Sequence, residues 1–180
     1  MSLLLTVSSV LLDGYILCVA MLLSGLMLLP RHRKSNRHLL AQANTLLLFG
    51  ALLLILLMAW EIFQLVPFKN EWDWFAFANR ITGPYWFLFW AIVVWKVLLP
   101  QLFWRKRLRH SIALTAVIVA GLAFTLYAPI LPFLFRDYLP SSWGIEPSYL
   151  SLLAYAGGFL IILRAMRWFR KRQNLAANRG

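Results

Sequence analysis

Five stretches of this chain are long and apolar enough to cross a bilayer, and they restrict its fold more than any motif does. They cover about 3–29, 39–66, 84–104, 112–135 and 148–166. A crossing helix needs about 20 apolar residues. Within hydrocarbon each segment must satisfy its own backbone N–H and C=O groups, so helix is expected throughout. A β-barrel would need short segments of alternating polarity, and these runs do not alternate. The chain is 62% hydrophobic and 13% charged, against about 25% charged in soluble domains. The expectation is an all-α integral membrane protein, one transmembrane domain over 1–180 with a basic tail over 167–180.

Prolines punctuate the runs. Pro30, Pro67 and Pro140 lie at or beyond helix ends, and Pro84 and Pro147 lie near helix starts, where a missing N–H costs little. Pro100, Pro129 and Pro132 fall late in the third and fourth runs, where a proline kinks or stops a helix.

Charge sets the expected orientation. Arg31, Arg33, Lys34 and Arg37 lie between the first two runs, and Arg105, Lys106, Arg107 and Arg109 between the third and fourth. The end of the fifth run and the tail hold Arg164, Arg167, Arg170, Lys171, Arg172 and Arg179, so these clusters hold fourteen of the 18 Lys and Arg residues. Cytoplasmic loops carry the excess of Lys and Arg, which places the N-terminus outside and the C-terminus inside. The net charge of +12 is thus spread over short juxtamembrane clusters. It forms neither a continuous groove nor an RNA-binding motif, so no nucleic acid is expected. The clusters suit topogenesis and attraction to anionic lipid, or docking of a cytoplasmic partner.

The first run has no basic residues before it and exceeds a signal-peptide core, so it is expected to be retained. Cys18 is the single cysteine and lies mid-run. His32, His38 and His110 sit in or beside the basic loops, not where a haem between helices would need them. There is no cysteine cluster for iron–sulfur ligation, no Walker loop and no dinucleotide fingerprint. No internal repeat argues for a transporter. The residues assign no catalytic group and no metal site.

Ionisable residues within apolar runs are costly and stand as functional candidates. Asp13 lies about ten residues, or about 15 Å, into the first run. Glu61 lies shortly before Pro67 in the second. Antiparallel packing would put both carboxylates in the outer half of the bilayer. There they would serve as proton-exchanging groups, or as structural carboxylates held by a Ser, Tyr, Trp or Arg. Lys96, in the third run, would snorkel toward Arg105 or form a buried ion pair. The aromatics around 60–77 and 85–86, with Trp104, Trp168 and Phe169, read as interfacial belts. Aromatic walls of this kind also suit a quinone.

Two loop motifs carry a family resemblance. Arg80-Ile81-Thr82-Gly83-Pro84-Tyr85-Trp86, followed by Pro100-Gln101-Leu102-Phe103-Trp104, resembles the R-x-x-G-P-Y…P-Q-L-F-W pattern of NrfD-like membrane subunits. These include polysulfide-reductase-type anchors and the quinol-interacting subunits of alternative complex III. Arg136-Asp137-Tyr138-Leu139-Pro140-Ser141-Ser142-Trp143 resembles their R-D-F-L-P-S-S-W loop. Glu61, in Trp60-Glu61-Ile62-Phe63, resembles the glutamate ending the preceding helix, and Ser8-Ser9…Asp13-Gly14 is a weaker match. The matches run over about 45–165 and correspond to the family's C-terminal half. Lys96 stands where the family tends to have Asn. Phe124-Thr125-Leu126-Tyr127 stands where it often has a Trp and a Glu-Arg pair.

The resemblance implies a four-helix bundle plus one flanking helix, a multi-pass subunit of the bacterial inner membrane. It would pack against a larger NrfD-like quinol-oxidising subunit. Haem c and iron–sulfur clusters would lie in partner cytochrome c and iron–sulfur subunits, with no cofactor on this chain. Asp13 and Glu61 would be the outer carboxylates of a partial proton path, and Arg80 would tune or pair with Glu61. Gly83, Pro84, Tyr85, Arg136, Asp137 and Trp143 would shape the loops. A purely structural assembly subunit and a small homo-oligomeric transporter remain alternatives.

Overall fold

The computed structural model describes residues 2–28, 33–68, 71–84, 86–127 and 149–177. Helix makes up nearly all of these residues, and none is in a strand. Helix α1 covers Ser2–Leu28, α2 Arg33–Phe68 and α3 Glu71–Thr82. Helix α4 covers Trp86–Trp104; a short turn, α5 (Lys106–Arg109), follows, then α6 (Ile112–Tyr127) and α7 (Tyr149–Ala177). Four of them, α1, α2, α4 and α7, are long and apolar enough to cross a membrane. The apolar segment of α6, Ile112–Leu126, is shorter.

Several boundaries differ from the sequence reading. Helix α2 begins in the basic loop at Arg33 and runs through Pro67 to Phe68. Pro67 falls in the final turn, so the bond its missing N–H removes is among the last of the helix. At about 1.5 Å per residue, α2's 36 residues outrun the roughly 30 Å hydrocarbon core. Helix α7 likewise continues to Ala177 through most of the basic tail. The stretch between the second and third runs, whose aromatics read as an interfacial belt, contains helix α3. The fourth run is described only to Tyr127; its expected remainder lies outside the described residues.

Helix α1 is the centre of the packing, with α2, α6 and α7 against it. Tyr15, Val19, Leu40, Leu47, Phe103, Ile118, Leu122 and Phe159 are fully buried in the shared core. Tyr15 meets Phe159 of α7 edge to face, with ring centroids 5.9 Å apart, a geometry that adds to simple burial. Helices α1 and α2 are antiparallel: Leu11 packs on Gly50, and Tyr15 reaches Asn44.

Helix α4 is not a uniform α-helix. An α segment, Trp86–Ile92, leads into a π segment, Val93–Leu98, and then a 3-10 segment, Leu99–Trp104. Pro100 explains the change. It has no N–H to give the Lys96 carbonyl, and its ring would clash there in an α-helix. Instead the Leu99 N–H bonds back to the Val94 carbonyl, five residues earlier. The Gln101 side chain donates to the Val97 carbonyl at 3.1 Å.

Candidate functional site: two interhelical ion pairs

Three consecutive residues of α1 each engage a different helix. Asp13 accepts a hydrogen bond from Lys96 Nζ of α4 at 2.9 Å. The side chains are 16% and 18% exposed, respectively. Gly14 has no Cβ, and one there would fall on the Tyr155 carbonyl of α7. Small residues allow this kind of close approach between membrane helices. Tyr15 donates to Asn44 Oδ1 of α2 at 2.6 Å.

Lys96 therefore forms a part-buried ion pair with Asp13 and does not reach toward Arg105. It sits in the π segment, next to Trp95. A Cβ on Gly121 of α6 would collide with the Trp95 indole. Neighbouring helical residues project about 100° apart, so α4 aims Trp95 at α6 and Lys96 at α1. Single π-turns recur where a helix must redirect a functional side chain. Two opposite charges taken out of water need close geometry to offset their desolvation, and 2.9 Å supplies it.

The second pair joins α2 to α3. Arg80, in the last turn of α3, donates to Glu61 Oε1 at 3.1 Å. Its charge also suits the negative end of that helix dipole. These side chains are 42% and 51% exposed, so this is a surface contact. Beyond it, the Gly83 N–H bonds to the Asn79 carbonyl at 2.9 Å, and the Trp86 N–H bonds to the Gly83 carbonyl at 3.0 Å. A Cβ on Gly83 would strike Asn79. Gly83 and Pro84 thus lie in the turn that joins α3 to α4.

The structure does not bring Asp13 and Glu61 together. Leu11 packs on Gly50, and Glu61 lies eleven residues further along α2, about 16 Å away. Asp13 belongs with Lys96 at one depth, and Glu61 belongs with Arg80 at the end of α2. Tyr85, Arg136, Asp137 and Trp143 lie outside the described residues.

One cluster escaped the sequence reading. Asn44, fully buried, donates through Nδ2 to the Arg109 carbonyl and to Thr115 Oγ1, both at 2.8 Å. Thr115 in turn donates to the Ser111 carbonyl at 2.8 Å. With Tyr15, this hub ties α1, α2, α5 and α6. An Asn within an apolar run was the available signal, since polar side chains at such depth hydrogen-bond across helices. Among the described residues, no group of three or more His, Cys, Asp or Glu is placed to hold a metal ion. No protein-family model matches the chain, and comparison with curated proteins finds no match.

Proposed function

We propose that the chain is a membrane subunit of a bacterial respiratory quinol-oxidising complex, of the alternative-complex-III kind. In this reading five helices seat it in the inner membrane, N-terminus outside and C-terminus inside. It packs as one bundle against a larger quinol-oxidising subunit, whose partners carry haem c and the iron–sulfur clusters. The observation that carries the reading is the 3.1 Å contact of Glu61 with Arg80. These residues come from separate segments of the resemblance to NrfD-like subunits, and the fold joins them. Gly83 and Pro84, from the same motif, form the turn beside them.

The contribution to proton movement would be partial. Glu61 and Arg80 would form an outer station, and Asp13, held by Lys96, an inner one. The same Asp13–Lys96 contact favours a second reading, a structural subunit, because a mutually neutralised pair fastens helices without exchanging protons.

Mild-detergent purification of a tagged chain tests the main reading. Co-purifying c-type haem and iron–sulfur subunits are expected, and a lone colourless species would overturn it. Within such a complex, Glu61→Gln and Asp13→Asn separate the two roles. Reduced proton release per quinol supports the path. Unchanged turnover and release with a lower yield of complex supports the scaffold.

A further inference from the structure

The corner where α2 begins and α5 turns gathers positive charge. Arg37 and His38 lie in α2, and Arg105, Lys106, Arg107, Arg109 and His110 lie in and around α5. All are exposed except the half-buried Arg109. The fold fixes this corner from two sides. The Arg109 carbonyl accepts from buried Asn44, and Arg109 Nε donates to the Phe103 carbonyl at 3.0 Å. The rings of His38 and His110, 72 positions apart, stand perpendicular with centroids 6.3 Å apart.

Among the described side chains, no carboxylate answers these charges. The sequence has no Asp or Glu between Asp13 and Glu61, nor between Asp73 and Asp137. Asp13 is committed to Lys96, and Glu61 to Arg80. Glu61 also lies 24 residues beyond Arg37 on α2, about 36 Å away. The first turn of α2, starting at Arg33, adds the positive end of a helix dipole to the same corner. Exposed Leu102 and Trp104 lie beside it on α4, an apolar and aromatic border of the kind found at headgroup level.

We propose that this corner is a binding site for the phosphate headgroup of an anionic phospholipid. Arg37 and Arg107 clamp the phosphate oxygens, a task that suits the planar guanidinium fork. His38 and His110 add ring N–H donors. Leu102 and Trp104 border the acyl chains. The bilayer itself supplies the ligand. The inference needs only that these helices lie in a membrane and does not depend on the respiratory reading.

Native mass spectrometry of the full chain, titrated with phosphatidylglycerol or phosphatidylcholine, tests it. One phosphatidylglycerol is expected to stay bound in preference to phosphatidylcholine. Arg37→Gln with Arg107→Gln should weaken retention by about 25-fold, at about fivefold per charge. Arg167→Gln with Arg172→Gln removes the same charge from α7 and should change nothing. Equal loss in both double variants would make the attraction diffuse and overturn the site. Equal retention of phosphatidylcholine would overturn it too. Displacement by millimolar inorganic phosphate would assign the corner to a soluble phosphate, against the lipid. Circular dichroism checks the fold of each variant. If the double variant does not fold, Arg37→Gln alone should lose about fivefold and Arg37→Lys should fall between Arg37→Gln and the parent, since it keeps the charge and loses the fork, with Arg37→Lys binding as well as the parent overturning the clamp.

Discussion

Lys96 Nζ lies 2.9 Å from Asp13 Oδ1, although 83 positions separate the two residues. The contact binds the first helix to the π segment of the fourth. Removing one partner leaves a part-buried charge alone, at a cost of up to about 3 kcal/mol. Lys96→Met and Asp13→Leu should each lower thermal stability in detergent markedly. The double variant should recover most of the loss, since no charge is then stranded. A double-mutant cycle of melting curves measures the coupling. Additive losses would show that the pair does not act as a unit.

Asn44 should be among the least replaceable polar residues. Asn44→Ala strands the Tyr15 hydroxyl and leaves the Arg109 carbonyl and Thr115 hydroxyl without their donor. Each orphaned buried group costs about 1–3 kcal/mol. Tyr15→Phe orphans Asn44 Oδ1 alone and should cost about 1–3 kcal/mol, once rather than several times over. Thermal unfolding should rank Asn44→Ala well below Tyr15→Phe.

Gly14 and Gly157 offer a matched comparison. A Cβ on Gly14 meets the Tyr155 backbone, whereas a Cβ on Gly157 meets nothing within 4 Å. Gly14→Ala should destabilise by about 1–3 kcal/mol through overpacking. Gly157→Ala should be neutral or slightly stabilising, because alanine favours helix. Gly121→Val should behave like Gly14→Ala, through the Trp95 indole. Melting temperatures of the three variants settle the order.

The Glu61–Arg80 pair should matter little to stability. An exposed ion pair contributes about 0–1 kcal/mol, and both side chains are about half exposed. Glu61→Gln and Arg80→Gln should therefore melt within about 1 kcal/mol of the parent, with the difference shrinking as salt rises. A larger loss would mean that α3 depends on this contact for its position.

How much of this was legible in the sequence follows from what each feature depends on. The long helices were readable because twenty apolar residues in a row constrain the backbone by themselves. Helix α3 was not, because Glu71–Thr82 mixes aromatic, acidic and amide residues with no long apolar run. Asp13, Glu61, Arg80 and Lys96 stood out as charges in or beside apolar runs. The pairing of Glu61 with Arg80 was expected from the resemblance, whereas Lys96 as the partner of Asp13 was not, because pairing depends on helix rotation and depth. One extra residue in the π segment is enough to change both. Asn44 is polar but uncharged, so it raised less suspicion than the carboxylates while holding more elements together.

The wide turn of α4 also fixes how many residues the chain must have. Each bond of the π segment spans one residue more than an α-helical bond. Deleting a residue within Val93–Leu98 would let ordinary helix run through and turn everything beyond it by about 100°. Phe103, Arg109 and His110 would then swing away from α2, and Asn44 would lose two of its partners at once. Length at this point is therefore under tighter constraint than identity. A gap placed inside α4 when related chains are aligned would mark a different bundle, even where every flanking residue matched.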